Sequence, residues 1–114
     1  MIIIKAEFAL LPGAADRMIH EMHTMHIQER YEAQPGNLAF DFSIPVTRND
    51  RMCLVDIWKD RESFEAHLNC DVTQDWTDIK AKYTTDSWYT LYEGDRNDAY
   101  NDSIQNRRVI TPGQ

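Results

Sequence analysis

The segment from Gln34 to His67 constrains the fold of this 114-residue chain more than any other part. It opens with a Pro-Gly-Asn-Leu break at 35–38, continues with two short apolar runs, and ends with Phe-x-x-His at 64–67. A proline followed by a glycine ends a helix, and alternating apolar residues are typical of strands. Helix, strand, strand and helix in so few residues predict a small α+β sandwich with a pocket between its layers.

The periodicity of apolar residues predicts the remaining elements. Residues 2–10 alternate as in a strand, whereas from Ala14 to about Ala33 apolar residues recur every three or four positions, as in a helix. The resulting order, βαββαβ, predicts a ferredoxin-like fold with an antiparallel four-stranded sheet and helices on one face. Further strands are predicted at 38–44, 52–58 and 88–92, and further helices after the N-cap Asp60 and at 75–83.

The length of the chain fits one domain. Polar, turn-rich sequence after Glu93 divides it into a folded domain at 1–93 and a polar C-terminal extension at 94–114. The extension is interpreted either as a loose tail or as an arm that lies on a partner subunit.

Charge and composition exclude several functions. The net charge of −7 argues against binding to nucleic acid or to an anionic membrane surface. No apolar run approaches the roughly 20 residues of a membrane span, and the N-terminal isoleucines are soon interrupted by charged residues. We therefore expect a cytoplasmic protein without a signal peptide, in which Cys53 and Cys70 stay reduced.

The first predicted helix alternates methionine and histidine between Met18 and His26. Thioether and imidazole groups suit soft metals, but a turn of 100° per residue points His20, His23 and His26 in different directions. We therefore expect no metal site there. His26 falls within the methionine stripe and is expected on the face that covers the sheet, either as a structural histidine or as a base that lines a pocket.

Three other polar or aromatic residues could carry chemistry. Trp58 ends a strand on the same face as Asp56, and its indole N–H could orient an aromatic ligand as well as fill the core. His67 follows Phe64 by three residues, so it lies either near the edge of the core or in solvent. Asn37 suits the helix-to-strand turn, and its amide could also steady an oxyanion.

Together, Pro-Gly-Asn-Leu, acid-x-Trp and Phe-x-x-His resemble the antibiotic biosynthesis monooxygenase superfamily over roughly residues 2–92. The resemblance implies a small homodimer of the dimeric α/β-barrel type, and many such proteins oxidise quinols or related aromatics without a cofactor. It also implies that Trp58 and His67 border the pocket. The acid is usually Glu, whereas Asp56 is one methylene shorter. Heme degradation is disfavoured, because that branch carries an Asn in the first strand where this chain has Lys5-Ala6-Glu7-Phe8.

The leading hypothesis is a cofactor-independent monooxygenase that oxidises a quinol, phenol or similar small aromatic with O₂. His67 or His26 would be the base, and Trp58 and Asn37 would be orienting donors. No metal, flavin or heme is expected. The wall of the pocket would be aromatic and would comprise Phe40, Phe42 and Tyr83.

Two alternatives stay open at this point. An autoinducer-processing isomerase of a phosphorylated sugar resembles the chain over 36–41, and a basic residue in the pocket, such as Lys5 or Arg30, would favour it. The other alternative is a non-catalytic dimer that binds a small ligand. A homodimer is expected in any case, because residues such as Ile3 and Val55 leave apolar side chains on the second face of the sheet.

Overall fold

Residues 1–108 are described in the computed structural model of this chain, and residues 109–114 of the predicted extension, including Val109 and Ile110, lie outside them. The four strands among the described residues form one antiparallel sheet in the order β2-β3-β1-β4. The predicted ferredoxin-like fold is therefore confirmed. The elements are β1 (Ile2–Leu10), α1 (Ala15–Thr24), α2 (Ile27–Glu32), β2 (Asn37–Ser43), β3 (Arg51–Trp58), α3 (Arg61–His67), α4 (Asp71–Tyr83), β4 (Thr84–Glu93) and α5 (Asp98–Arg108).

The helices cover one face of this sheet. Phe8 of β1, Phe40 of β2 and Trp58 of β3 are fully buried there, and Trp76 of α4 packs edge-on against both phenylalanines. The sheet of one chain is open, so closure into a barrel with a second chain stays a prediction. No helix in the described range is both long and apolar enough to cross a membrane.

The first helical region is broken at His26, so the prediction of one helix over residues 14–33 is wrong. His26 adopts a left-handed backbone conformation with φ 52°. Met18 and Met22 are buried and lie four positions apart, as do Ile27 and Tyr31. Met22 and Ile27, however, lie five positions apart. A continuous helix cannot keep both pairs on one face, and the break absorbs the additional residue.

This break moves His26 away from the sheet. Its side chain is 73% exposed and lies 3.8 Å from a carboxylate oxygen of Glu29. The prediction that His26 lies on the face that covers the sheet is therefore wrong. Ile27 takes the buried position instead.

The turn at Gly36 fixes how β2 leaves the helical layer. Gly36 has φ 81°, and a Cβ built on it would lie 2.1 Å from the Oγ of Ser63 in α3. Its carbonyl accepts a hydrogen bond of 2.7 Å from the backbone N–H of Lys59. The left-handed residue of this turn is thus the glycine, while Asn37 is the first residue of β2 and lies opposite Trp58.

The last strand, β4, is longer than the predicted strand at 88–92. Most of its side chains are exposed, so the described residues leave both of its faces largely uncovered. Trp88 and Tyr92 lie on the side of the sheet away from the helices, opposite Glu7 and Ile3. They are 46% and 54% exposed. Beyond β4, the predicted extension forms α5, whose Tyr100 is 64% exposed.

Candidate active site

A stack of two rings forms the centre of the candidate site. Trp58 ends β3 and His67 ends α3, and their ring centroids lie 4.4 Å apart with planes inclined by 24°. Asp60 begins α3 by accepting a hydrogen bond of 2.8 Å from the backbone N–H of Ser63, which fixes where the helix starts. Trp58 is fully buried and His67 is only 6% exposed. The alternative of a solvent-facing His67 is therefore wrong.

The hydrogen bonds around Thr73 determine which nitrogen of His67 carries the proton. The Thr73 hydroxyl donates to the backbone carbonyl of His67 over 2.5 Å. The same hydroxyl oxygen lies 3.0 Å from Nδ1 of His67. A hydroxyl has only one hydrogen, so in this contact Nδ1 must be the donor. The other ring nitrogen, Nε2, is then unprotonated and its lone pair can act as an acceptor.

Burial keeps this imidazole neutral. Two effects lower the pKa of His67 from 6.5 to about 4. The larger is the loss of solvent around the ring, and the smaller is the positive charge of Lys80. At neutral pH, Nε2 of His67 is therefore unprotonated, and the lowered pKa also makes the group a weaker base than a free imidazole. Sequence reasoning placed His67 near the pocket, but it missed Thr73 and Lys80, which set the tautomer and the pKa.

Trp58 also makes a buried polar contact. Its indole N–H donates to Oδ2 of Asp56 over 2.8 Å. Asp56 is 4% exposed, and burial raises the pKa of its carboxyl group, while the bond from Trp58 and the charge of Lys80 oppose that rise. The N–H group that was predicted to orient a ligand is therefore engaged by the acid of the acid-x-Trp motif.

Tyr31 supports the stack from α2. Its ring lies 5.2 Å from that of His67 and stacks on Phe40 at 4.1 Å. Burial, and secondarily the charge of Asp56, raises the pKa of Tyr31 far above its ordinary value, so its hydroxyl stays protonated. Sequence reasoning missed Tyr31, although its spacing of four from Ile27 was the available signal.

His67 lines a cleft of about 330 Å³ between the helix-to-strand turn and α3. Nε2 of His67 makes no hydrogen bond with the described residues. It is not fully buried either. A ligand in this cleft therefore lies beside an available base. The residues that line the cleft are Gln34, Pro35, Lys59, Asp60, Glu62, Ser63, Ala66, His67 and Cys70.

The sequence model of one protein family, described as antibiotic biosynthesis monooxygenase, matches residues 1–78. The chain belongs to the antibiotic biosynthesis monooxygenase family. No curated protein matches it significantly. The matched region extends from β1 to most of α4. Membership in this family supports a small-molecule monooxygenase-type domain.

Solved structures show the same fold at low sequence identity. An antibiotic biosynthesis monooxygenase is 16% identical with a TM-score of 0.72, and the match covers 84% of this chain and all of that one. A conserved protein of unknown function from Bacteroides thetaiotaomicron is 15% identical with a TM-score of 0.72, covering 82% and 96%. A conserved protein from Methanosarcina mazei is 13% identical with a TM-score of 0.73, covering 82% and 92%. At these identities the likeness shows the fold alone.

In this family member, the predicted donor Asn37 lies at the end of the sheet but does not line the cleft. Its amide nitrogen donates to the carbonyls of Ala39 and Ile57, at 3.2 and 3.5 Å. Its Oδ1 is buried without a partner among the described residues, as are both amide atoms of Gln34. Asn37 therefore ties β2 to β3, which is a structural contact.

None of the three residues of the predicted aromatic wall lines the His67 cleft, although Phe40 and Phe42 pack edge-on with ring centroids 6.2 Å apart. Phe40 is fully buried beneath Tyr31, and Phe42 lines a separate hollow of about 90 Å³ beside α1 and α2. Tyr83 lies in another surface groove, where its hydroxyl donates to Glu21 over 2.6 Å. Alternating strand positions place Phe40 and Phe42 on the same face of β2, but Tyr31 of α2 covers Phe40 and separates it from solvent.

The remaining polar predictions have simple outcomes. His20 and His23 are exposed, and no three His, Cys, Asp or Glu residues in the described part of the chain are placed to hold a metal ion. Lys5 is exposed on the far face of the sheet, and Arg30 bonds Asp75 over 2.7 Å. Neither Lys5 nor Arg30 therefore lines the His67 cleft, whereas another basic residue, Lys59, does.

Proposed function

We propose that this protein is a cofactor-independent monooxygenase that oxidises a quinol, phenol or similar electron-rich aromatic with O₂, with His67 as the general base. The observation that supports this most directly is the neutral His67 imidazole, which lines the cleft and whose Nδ1 contacts Thr73. Membership in the antibiotic biosynthesis monooxygenase family supports the same reaction class.

In the proposed reaction, Nε2 of His67 accepts the proton of a substrate hydroxyl. The resulting anion is electron-rich enough to pass an electron to O₂ directly. For a quinol, one oxygen atom enters the ring and the other leaves as water, so the products are a hydroxyquinone and water. All the electrons come from the substrate, and no resident metal or flavin is required.

The surrounding residues position the base rather than react. Thr73 holds Nδ1 and thereby directs Nε2 outward, while Trp58 fixes the plane of the imidazole by stacking. Asp56 locks the indole of Trp58 through the N–H bond. Such restraint places the base before the substrate binds, which is the main requirement for efficient proton transfer.

Oxygen consumption tests this proposal. Purified protein is supplied with a panel of quinols and anthrones, with and without added metal or flavin, and incorporation of ¹⁸O from ¹⁸O₂ is measured by mass spectrometry. We expect uptake without additives and one labelled oxygen atom in each product molecule. Uptake that depends on added flavin or metal would contradict the cofactor-independent mechanism.

We also propose that the protein is a homodimer in which the helix-free faces of two sheets meet. That face carries Trp88 and Tyr92, both about half exposed, beside the partly buried Ile3, Val55 and Ile57. Light scattering at micromolar concentration tests this, and a monomer mass would exclude it. Replacing Trp88 with Glu places a charge on this face and should yield monomers.

A further inference from the structure

A second polar feature lies between α4 and the helix side of β4, outside the His67 cleft. Nζ of Lys80 donates to the hydroxyl of Tyr89 over 3.1 Å. The same atom lies 5.6, 5.4 and 5.5 Å from the ring centroids of Phe8, Trp76 and Tyr89. These distances fall within the roughly 6 Å at which a ring attracts a cation. The ammonium group is therefore held in place by three rings and one hydroxyl.

Among the described residues, Lys5, Arg17, Lys59 and Lys80 have no carboxylate within 4.0 Å, and of these four only Lys80 is half-buried rather than exposed. Arg30, Arg61 and Lys82 are each paired with a carboxylate. Lys80 has no such partner within 4.0 Å among the described residues, although the chain has 19 acidic residues and only 12 basic ones. A partly buried ammonium without a counter-ion attracts an anion from outside the chain.

The contact with Tyr89 creates a pair of donors. An ammonium has three hydrogens, and Lys80 directs one of them to the Tyr89 oxygen. Because that oxygen accepts the bond from Lys80, its own hydrogen remains free to be donated elsewhere. Two donors that lie 3.1 Å apart can bind the same oxyanion, which is the arrangement by which enzymes stabilise negative charge on oxygen.

An apolar surface for a ring lies beside these donors. Tyr89 and Leu91 project toward the helix side of the sheet, opposite Ala6 and Ile4, but they remain 55% and 48% exposed. We propose that Lys80 and Tyr89 form a binding site for the oxyanion of an aromatic ligand, a phenolate, whose ring lies on Tyr89 and Leu91. The site goes beyond the proposed oxygenase reaction, because binding needs neither O₂ nor proton transfer by His67.

Electrostatics couples this site to the candidate active site. The charge of Lys80 contributes to lowering the pKa of His67 and opposes the rise in the pKa of Asp56. A phenolate bound at Lys80 therefore lies within the electrostatic reach of both groups. An anion there would offset the positive charge that acts on His67 and make that imidazole more basic.

Anaerobic calorimetry with 4-nitrophenolate tests the site, with 4-nitroanisole as a neutral probe of the same shape. Lys80→Met should weaken 4-nitrophenolate binding about 10- to 100-fold, the effect of losing a charged hydrogen bond, and Tyr89→Phe about fivefold. Neither change should alter 4-nitroanisole binding. Lys82→Met is the matched control, because Lys82 lies on the same helix but is paired with Glu21, and it should leave binding unchanged.

Two results would overturn the site. One is 4-nitrophenolate binding to the native protein no more tightly than 4-nitroanisole, and the other is an equal loss in Lys80→Met and Lys82→Met. If Lys80→Met does not fold, Tyr89→Phe decides. His67→Gln should keep 4-nitrophenolate binding, which separates this site from the oxygenase proposal. If the native protein binds 4-nitrophenolate but shows no O₂ uptake, only the oxygenase proposal is contradicted.

Discussion

The two helical regions that cover the sheet differ in the exposure of their histidines: one buries His67, and the other leaves His26 in solvent. In the α3–α4 region, His67 is 6% exposed, stacked on Trp58 and bonded to Thr73. In the α1–α2 region, His26 is 73% exposed in a left-handed break. Both histidines occur in apolar helical patterns, so residue type and periodicity do not distinguish them. The difference shows that contacts with neighbouring elements, rather than residue type or periodicity, decide whether a histidine in such a pattern is buried.

The largest expected effect compares the two histidines directly. His67→Gln should lower the rate of substrate oxidation about 10²- to 10⁴-fold, the contribution of a positioned general base. His26→Gln should leave the rate within about twofold, because His26 does not line the His67 cleft. Steady-state O₂ uptake measures both. A substantial loss in His26→Gln alone would reverse the assignment.

The glycines that flank the α1–α2 region provide a second comparison. Gly36→Ala should lower the free energy of unfolding by about 2–4 kcal/mol, because it combines a left-handed backbone with a collision against Ser63. Gly13→Ala should cost only about 1 kcal/mol, since Gly13 has φ 69° but nothing within 4 Å of the added Cβ. Urea denaturation measures the difference, and equal losses would show that α3 does not press on the turn.

Acid should lower the stability of the folded protein through His67. Because the pKa of folded His67 is about 4 and its ordinary value is 6.5, the unfolded chain binds the proton more readily between those pH values. His67 should therefore reduce the free energy of unfolding as the pH falls through that range, by about 3 kcal/mol in total. His67→Gln should remove this part of the dependence of the unfolding free energy on pH.

The same pKa predicts the pH profile of the reaction. Since the neutral imidazole is the active form, the rate should be level near neutral pH and should fall only as the pH approaches about 4. A rate that instead falls through pH 6.5 would indicate a solvent-exposed histidine as the base.

The indole bond offers a smaller test of the His67 region. Trp58→Phe keeps most of the ring but leaves the buried Asp56 without its donor, which should cost about 1–3 kcal/mol. Tyr100→Phe in α5, at a 64% exposed position, should cost less than about 0.5 kcal/mol. Thermal unfolding measures both. Equal melting temperatures would show that the Asp56 bond adds nothing to stability.

The smallest expected effect concerns the break itself. His26→Gly should raise the free energy of unfolding by about 0.5–1 kcal/mol, because glycine adopts a left-handed conformation more easily than histidine does. His23→Gly in α1 is the control, and it should lower the free energy of unfolding by about 0.3–0.5 kcal/mol. A loss of stability in His26→Gly would indicate that the imidazole makes a contact that its exposure conceals.

The sequence by itself determined the order of the elements and the sheet. Alternation in residues 2–10 and 52–58, and the breaks at Pro35-Gly36 and Asp60, are local signals that act through backbone geometry and capping. The same local signals placed Trp58 and His67 at adjacent ends of a strand and a helix. These signals were sufficient to predict the fold, whereas the expectation that Trp58 and His67 border the pocket came from the resemblance to the antibiotic biosynthesis monooxygenase superfamily.

Tertiary structure decided which side chains meet and in what chemical state. The tautomer of His67 depends on Thr73, and its pKa depends on burial and on Lys80, which lies thirteen residues further along the chain. Asp56 captured the indole N–H because both side chains are buried on one face of β3. Periodicity gives the direction of a side chain along its own element. It does not give the neighbour from another element, and that neighbour controls desolvation, hydrogen bonding and charge.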